Sequence, residues 1–193
     1  MQSVHIQYSG SATREYIAAI REHVVQPLEN TRISDHCFAT AMLIFAGIDG
    51  LGRLVHPNPD AGAGERFKGF LPRLGIEYQM RENEIWDLRN SLDHNAINVA
   101  CYMSKTEDAR GEHLEVDNGH LFLHIVRLLA DFRTSLNTLE AELQRDVKLF
   151  ERTELRLEWA CLDLPGWRGQ NVQTTPPPIV RFVYPRQRNK KSS

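Results

Sequence analysis

Cysteine is scarce in this chain and badly placed for cross-linking. Cys37, Cys101 and Cys161 make an odd count of 3, lie far apart, and form no Cys-x-x-Cys pair. That argues against a disulfide scaffold or a zinc knuckle and fits free thiols in a reducing cytosol, so a cytoplasmic location is expected. A surplus of one charge is lacking too. The 23 Lys and Arg stand against 25 Asp and Glu, a net charge of −2, so the chain as a whole gives no electrostatic reason to expect nucleic acid or a membrane. The nearest thing to a long apolar run, residues 38–54, is interrupted by Gly47, Asp49, Gly50 and Gly52 and is expected to be too short and too broken to span a bilayer. Residues 1–10 have neither a charged leader segment nor an apolar one, so no secretory signal is expected. There is no internal repeat of fixed period, Walker loop, Gly-rich dinucleotide loop, nucleophile elbow or Cys–His catalytic pattern.

What is present is ordinary globular material: 41% apolar and 25% charged residues over a length of 193. Such a length suits one domain with an appendage. Helical spacing predicts a first helix over 13–30 through Ile17, Ile20, Val24 and Leu28. A second, more buried helix is expected over 34–56, with the stripe Phe38, Ala41, Met42, Phe45, Ile48, Gly52 and Val55, ended by Pro57 and Pro59. Ser34 or Asp35 would cap its start. Residues 57–64 read as a loop, 65–74 as a short helix with Pro72 as an irregularity, and 81–99 as a further helix. Between 98 and 116 the alternation of Val99, Cys101 and Met103 leaves room for a short strand or a hairpin around a loop at 105–111. The longest helix is expected over 118–148, from the three-four spacing of Leu121, Ile125, Leu128, Phe132, Leu136, Leu139 and Leu143. Residues 153–162 suit either strand or helix. The expectation is a mainly all-α fold: a bundle of four to five helices within residues 1–163, with room for a small β-hairpin.

From 164 to 193 the composition changes to an irregular, Pro-rich and basic extension. It has prolines at 176–178, no acidic residue, and Arg168, Arg181, Arg186, Arg188, Lys190 and Lys191. Trp167, Ile179, Phe182 and Tyr184 can pack, whereas 187–193 is expected to be disordered. Such a tail offers phosphates only sequence-independent attraction, and most basic tails are simply solvated.

The informative segment is the helix over 81–99. At 100° per residue, Ile85, Leu88, Leu92, Ala96 and Val99 form a core face. Arg89 lies at its edge, with Asp93 one turn on. Asn90 and His94 form a second line away from the core, flanked by Trp86 and Ile97. A face that holds Trp and Ile away from the core is usually covered by something. A second copy of the chain is the simplest cover, which makes Trp86 and Ile97 the expected dimer contacts along 81–99.

Arg89-Asn90-Ser91-Leu92-Asp93-His94, an Arg with a His five residues later, resembles the catalytic signature of the HEPN superfamily of helical nucleotide-binding and RNase domains. Further likeness lies in the helix over 41–54 with Ile48-Asp49 inside it, in Glu65-Arg66-Phe67-Lys68-Gly69-Phe70-Leu71, and in Ile85-Trp86-Asp87-Leu88-Arg89-Asn90, so that it covers residues 11–145. The resemblance implies a helical bundle that dimerises along the motif helix. It also implies metal-independent cleavage of RNA, with no cofactor, in a toxin or host-defence effector. Some members are paired with a nucleotidyltransferase-like antitoxin; others have lost catalysis and act as binding modules. His94 would then be the general acid/base, since imidazole titrates near neutrality. Arg89 would stabilise charge gathering on the phosphate, and Asn90 would orient the imidazole or the phosphate. The bland alternative is a helix salt bridge between Arg89 and Asp93 beside an ordinary surface histidine.

Asp49, on the apolar side of the second helix, needs partners if buried. It could orient Arg89 or His94, or pair with Arg53 or Arg66. His120 and His124, one helical turn apart with Asp117 just before, could ligate a metal, although a core-edge role is the commoner use of such a pair. His5, His23, His56 and His113 are isolated.

Overall fold

The computed structural model describes residues 11–30, 36–95, 101–105 and 111–162; for 30, 94–95 and 158–162 it describes the backbone alone. The expected disorder at 187–193, the basic extension from 164, Ile97 and the caps at 34–35 lie outside the described residues.

Helix α1 (Ala12–Ile20) runs through a wide turn (Arg21–Val25) into α2 (Gln26–Asn30). The wide turn adds a residue, so the buried stripe reads Ile17, Ile20, Val25 and Leu28 rather than passing through Val24. Pro27 stands two residues beyond it: it has no N–H to offer the carbonyl one turn back, and its ring crowds that carbonyl, which a wider turn relieves.

Helix α3 (Cys37–Val55) is the centre of the core. Ala41, Ile44, Ile48 and Leu51 are each 0% exposed. The expected stripe is corrected at two positions: Phe38 (44% exposed) and Met42 (38%) face outward, and Ile44 and Leu51 take their place inside. The physical reason is that this helix is apolar nearly all round, so periodicity cannot choose its buried face. Among the described residues, α3 is the one helix long and apolar enough to cross a membrane (mean hydropathy 1.5), and 56% of that window is buried in the fold. Its glycines do not interrupt it. Gly52 permits the close approach of another backbone: a Cβ there would lie 2.5 Å from the carbonyl oxygen of Arg66.

That approach seats α4 (Ala63–Phe70), which a 3₁₀ turn (Leu71–Arg73) and α5 (Ile76–Met80) connect to α6 (Glu82–Asn95). Helix α6 buries Ile85, Leu88 and Leu92, each 1% exposed, as the sequence pattern requires.

A small sheet follows: β1 (Cys101–Ser104), β2 (Val116–Asp117) and β3 (His120–His124), in the order β1-β3-β2. β1 runs parallel to β3, so it is not one arm of a hairpin around 105–111. The hairpin is β2–β3, antiparallel, closed by Asn118 (φ 49°) and Gly119 (φ 77°), both left-handed, as a two-residue Asn-Gly turn prefers. The longest helix is accordingly shorter than the pattern suggested: α7 spans Ile125–Arg145, and Leu121 belongs to a strand. Residues expected as strand or helix near the end form helix α8 (Val147–Leu162). The fold is therefore mainly α-helical, with a small sheet at the start of α7.

Helix α8 ties the ends of other helices. Glu154 accepts hydrogen bonds from Ser11 Oγ (2.5 Å) and from the N–H groups of Ala12 (3.2 Å) and Thr13 (2.7 Å), closing the N-terminus of α1. Burial opposes its charge, but these donors hold its carboxyl below the usual range. At the other pole, Arg152 Nη2 donates to the carbonyl of Val55 (3.1 Å), and Arg156 Nη1 to those of Arg53 (3.1 Å), Leu54 (2.9 Å) and His56. Two guanidinium groups thus satisfy the last carbonyls of α3, where the helix dipole favours positive charge.

Candidate functional site

Arg89 is held on α6 by its neighbours on three sides. Its Nε and Nη2 both donate to Asp49 Oδ2 of α3, at 2.8 and 2.5 Å. Its Nη1 lies 2.7 Å from Asp93 Oδ2, one turn further along α6, and donates to Asn90 Oδ1 at 3.1 Å. The guanidinium carbon lies 5.3 Å from the ring centre of Trp86, a cation–π distance. Of the alternatives open to Asp49, the structure takes Arg89. Arg66 contributes only at longer range.

The three charged side chains are unequally covered: 19% exposed for Arg89, 25% for Asp49 and 40% for Asp93. Burial raises the Asp49 carboxyl above its ordinary range. Arg89 pulls it down through hydrogen bonding and charge, Asp93 pushes it up again, and the balance stays upward. One guanidinium between two carboxylates leaves the cluster with a net negative charge when all three are ionised. Any anion drawn to Arg89 competes with these two carboxylates, of which Asp93 has the least covering.

Trp86 is partly covered within its own chain. Its ring packs 5.5 Å from that of Phe67 and lies over Gly64, so α4 of the same chain covers one side of it. Helical periodicity does not reveal this contact, because it depends on where α4 lies beside α6. Asn90 is half-buried beside Arg89. His94 occupies the last turn of α6, one turn after Asn90; its side chain lies outside the described residues.

His120 and His124 are corrected in kind. They lie on β3, where four residues span about 13 Å at the strand rise, too far for one metal ion. Among the described residues no group of three or more His, Cys, Asp or Glu is placed to hold a metal.

A second polar cluster escaped the sequence reading. Tyr78 on α5 is fully buried, and its hydroxyl donates to Asp131 Oδ2 of α7 at 2.7 Å. The backbone N–H of His124 donates to His113 Nδ1 (3.0 Å), so the ring proton sits on Nε2 and is given to the Tyr78 hydroxyl at 2.8 Å. Burial, helped by the charge of Arg127 and by His124, lowers the His113 pKa to about 3, and the ring is neutral at pH 7. Burial likewise pushes the Cys101 thiol up to about 12, which makes it an inert core group. His113 and Asp131 stand 35 and 53 residues from Tyr78 in the chain, so no local motif announces them.

The fold and these two clusters define a class: a helical bundle with a small sheet and an arginine-centred polar junction between two of its helices. Compared with protein-family models, with curated proteins and with solved structures, the chain shows no match.

Proposed function

We propose that the protein is a metal-independent endoribonuclease of the HEPN type, acting as a homodimer. The observation that carries this reading is the placement of Arg89: half-buried, fixed from the core helix by Asp49, and borne on the same helix as Asn90 and His94. RNA supplies its own nucleophile. His94 takes the proton from the 2′-hydroxyl as that oxygen attacks phosphorus, or returns one to the departing 5′-oxygen. Arg89 neutralises the charge that builds on the phosphate oxygens, and Asn90 orients the imidazole or the phosphate. The products are a 2′,3′-cyclic phosphate and a 5′-hydroxyl. A toxin or defence role, with a nucleotidyltransferase-like antitoxin as partner, fits the same chemistry.

The dimer reading draws on α3. Phe38 and Met42 are exposed and, at 100° per residue, lie within about 20° of Asp49 around the helix. An apolar strip therefore runs along α3 to the Arg89–Asp49 pair, where a second copy would cover it.

A second reading is favoured by one observation: the donors of Arg89 are committed to two carboxylates. A module that binds RNA, a nucleotide or a partner protein, without cleaving, would need no free guanidinium.

Incubation of the purified chain with mixed cellular RNA in EDTA separates the two. Fragments ending in cyclic phosphate from the parent, and none from His94→Ala, are expected. Intact RNA with both proteins would move the assignment to the binding module. In sedimentation the parent should run as a dimer at micromolar concentration, and Met42→Glu should split it.

A further inference from the structure

Three arginines gather at the C-terminal end of α3, and among the described residues no carboxylate pairs with any of them. Arg152 and Arg156 lie one turn apart on α8, and Arg66 of α4 is near enough for its charge to act on Arg156. Each is anchored by only part of its fork. Arg66 Nη1 donates to the carbonyl of Ala61 at 2.8 Å, Arg152 Nη2 to that of Val55, and Arg156 to the end carbonyls of α3. Carbonyl caps fix a guanidinium without cancelling its charge. The acid that lies between Arg152 and Arg156 in the chain, Glu154, is turned away to close the N-terminus of α1. Like charges brought together in this way repel: burial, then Arg152 and Arg66, make the Arg156 charge harder to hold than usual. Arg152 Nε is buried and has no hydrogen-bond partner among the described residues, a donor that a well-satisfied interior would not leave idle. Arg66 is also the link to the candidate site, for its charge reaches Asp49, the partner of Arg89.

We propose that Arg66, Arg152 and Arg156 form a phosphate-binding path that holds the backbone of a single-stranded RNA leading away from Arg89. The inference rests on the ribonuclease reading and names how its substrate is held. Arg89 alone, balanced by two carboxylates, cannot supply the affinity for a polyanion. The three guanidinium groups, held by carbonyls and ion-paired with no carboxylate among the described residues, can, and they would do so without regard to base sequence.

The test is binding of a fluorescent single-stranded RNA oligonucleotide by the full chain carrying His94→Ala, read by anisotropy across a salt series. The slope of log affinity against log salt should fall by about 2 when Arg66, Arg152 and Arg156 are all replaced by Gln, at about 0.7 for each phosphate left without its arginine. Affinity in moderate salt should fall at least tenfold. Arg152→Lys keeps the charge and should keep the slope, and Arg152→Gln alone, which leaves the Arg156 caps intact, should lower it by about 0.7. Thermal melting of each variant identifies any that fail to fold. Salt-dependent binding by the parent with an unchanged slope in folded Arg152→Gln overturns the path and leaves the ribonuclease reading standing. Absence of RNA binding by the parent, together with absence of cleavage, overturns both.

Discussion

Around Arg89, one guanidinium faces two carboxylates, and all three side chains are partly open to water. Around Tyr78, a neutral imidazole, a phenol and a carboxylate pass hydrogen bonds in one direction, from His113 to Tyr78 to Asp131, and the phenol is fully buried. The two clusters differ in what they can still do. The Tyr78 chain has its protons placed and its donors spent, so it ties α5, the segment before β2, and α7 together. The Arg89 cluster carries one carboxylate more than its charge requires, and on the proposed reading the more exposed of the two gives way to an incoming anion. A polar group that holds a fold has its donors spent on fixed partners; one that can act is positioned but retains a replaceable partner.

A pair of substitutions tests that contrast most strongly. Arg89→Ala should lower RNA cleavage about 10²- to 10³-fold, the usual cost of a lost transition-state donor. Its effect on stability should be smaller, because the Asp49 carboxyl it leaves behind is partly solvated and can take up a proton. Tyr78→Phe should do the reverse. It strands the His113 Nε2 proton and deprives Asp131 of a donor, at a cost of about 2 kcal/mol in denaturant unfolding, while cleavage by the folded fraction is unchanged. If both variants lose activity and stability in step, the two clusters are not functionally distinct.

The next effect is smaller and depends on pH. The His113 pKa is lowered to about 3 in the fold from an ordinary 6.5. Below pH 6.5 the unfolded chain takes up a proton that the folded chain refuses until about pH 3, so stability is complete above that window and falls as pH drops through it. Between pH 7 and 5.5 the loss should be about 1 kcal/mol, visible as a lower urea midpoint. His113→Gln, which can still donate and accept, should flatten this part of the profile. An equal slope in the variant would place the titration on another group.

The helices are legible in the sequence because their apolar stripes recur at helical spacing: α6 buries Ile85, Leu88 and Leu92, most of α7 buries the residues that spacing names, and Ala96 and Val99 lie outside the described residues. The hairpin is harder to see, although Asn118-Gly119 between two short strands is a strong turn sequence. Leu121 and Ile125 continue the three-four spacing of α7 backwards and mask it. The outward turn of Phe38 and Met42 is illegible for a different reason, since α3 is apolar on both faces and only its neighbours decide which is buried. At the site, the residue types of Arg89, Asn90, Asp93 and Asp49 point to one another, but the choice of Arg89 over Arg53 or Arg66 as partner for Asp49 is tertiary. The Tyr78 chain and the Arg152–Arg156 caps join segments distant in sequence, and no periodicity encodes them.

The smallest expected effect separates the two carboxylates of the Arg89 cluster. Asp93 is 40% exposed and bonds through Nη1, whereas Asp49 is 25% exposed and takes both Nε and Nη2. If Asp49 positions the guanidinium and Asp93 merely occupies it, the substitutions to Asn should move activity in opposite directions. Asp93→Asn removes an exposed ion pair worth about 0.2–1 kcal/mol, so RNA should bind about 1.4- to 5-fold more tightly with kcat little altered. Asp49→Asn should leave affinity nearly unchanged and lower kcat, because the fork of Arg89 loses its fixed direction. Parallel changes in KM for both variants would mean that the two carboxylates are equivalent charges around Arg89, and the distinction between a positioning and a displaceable partner would fall with it.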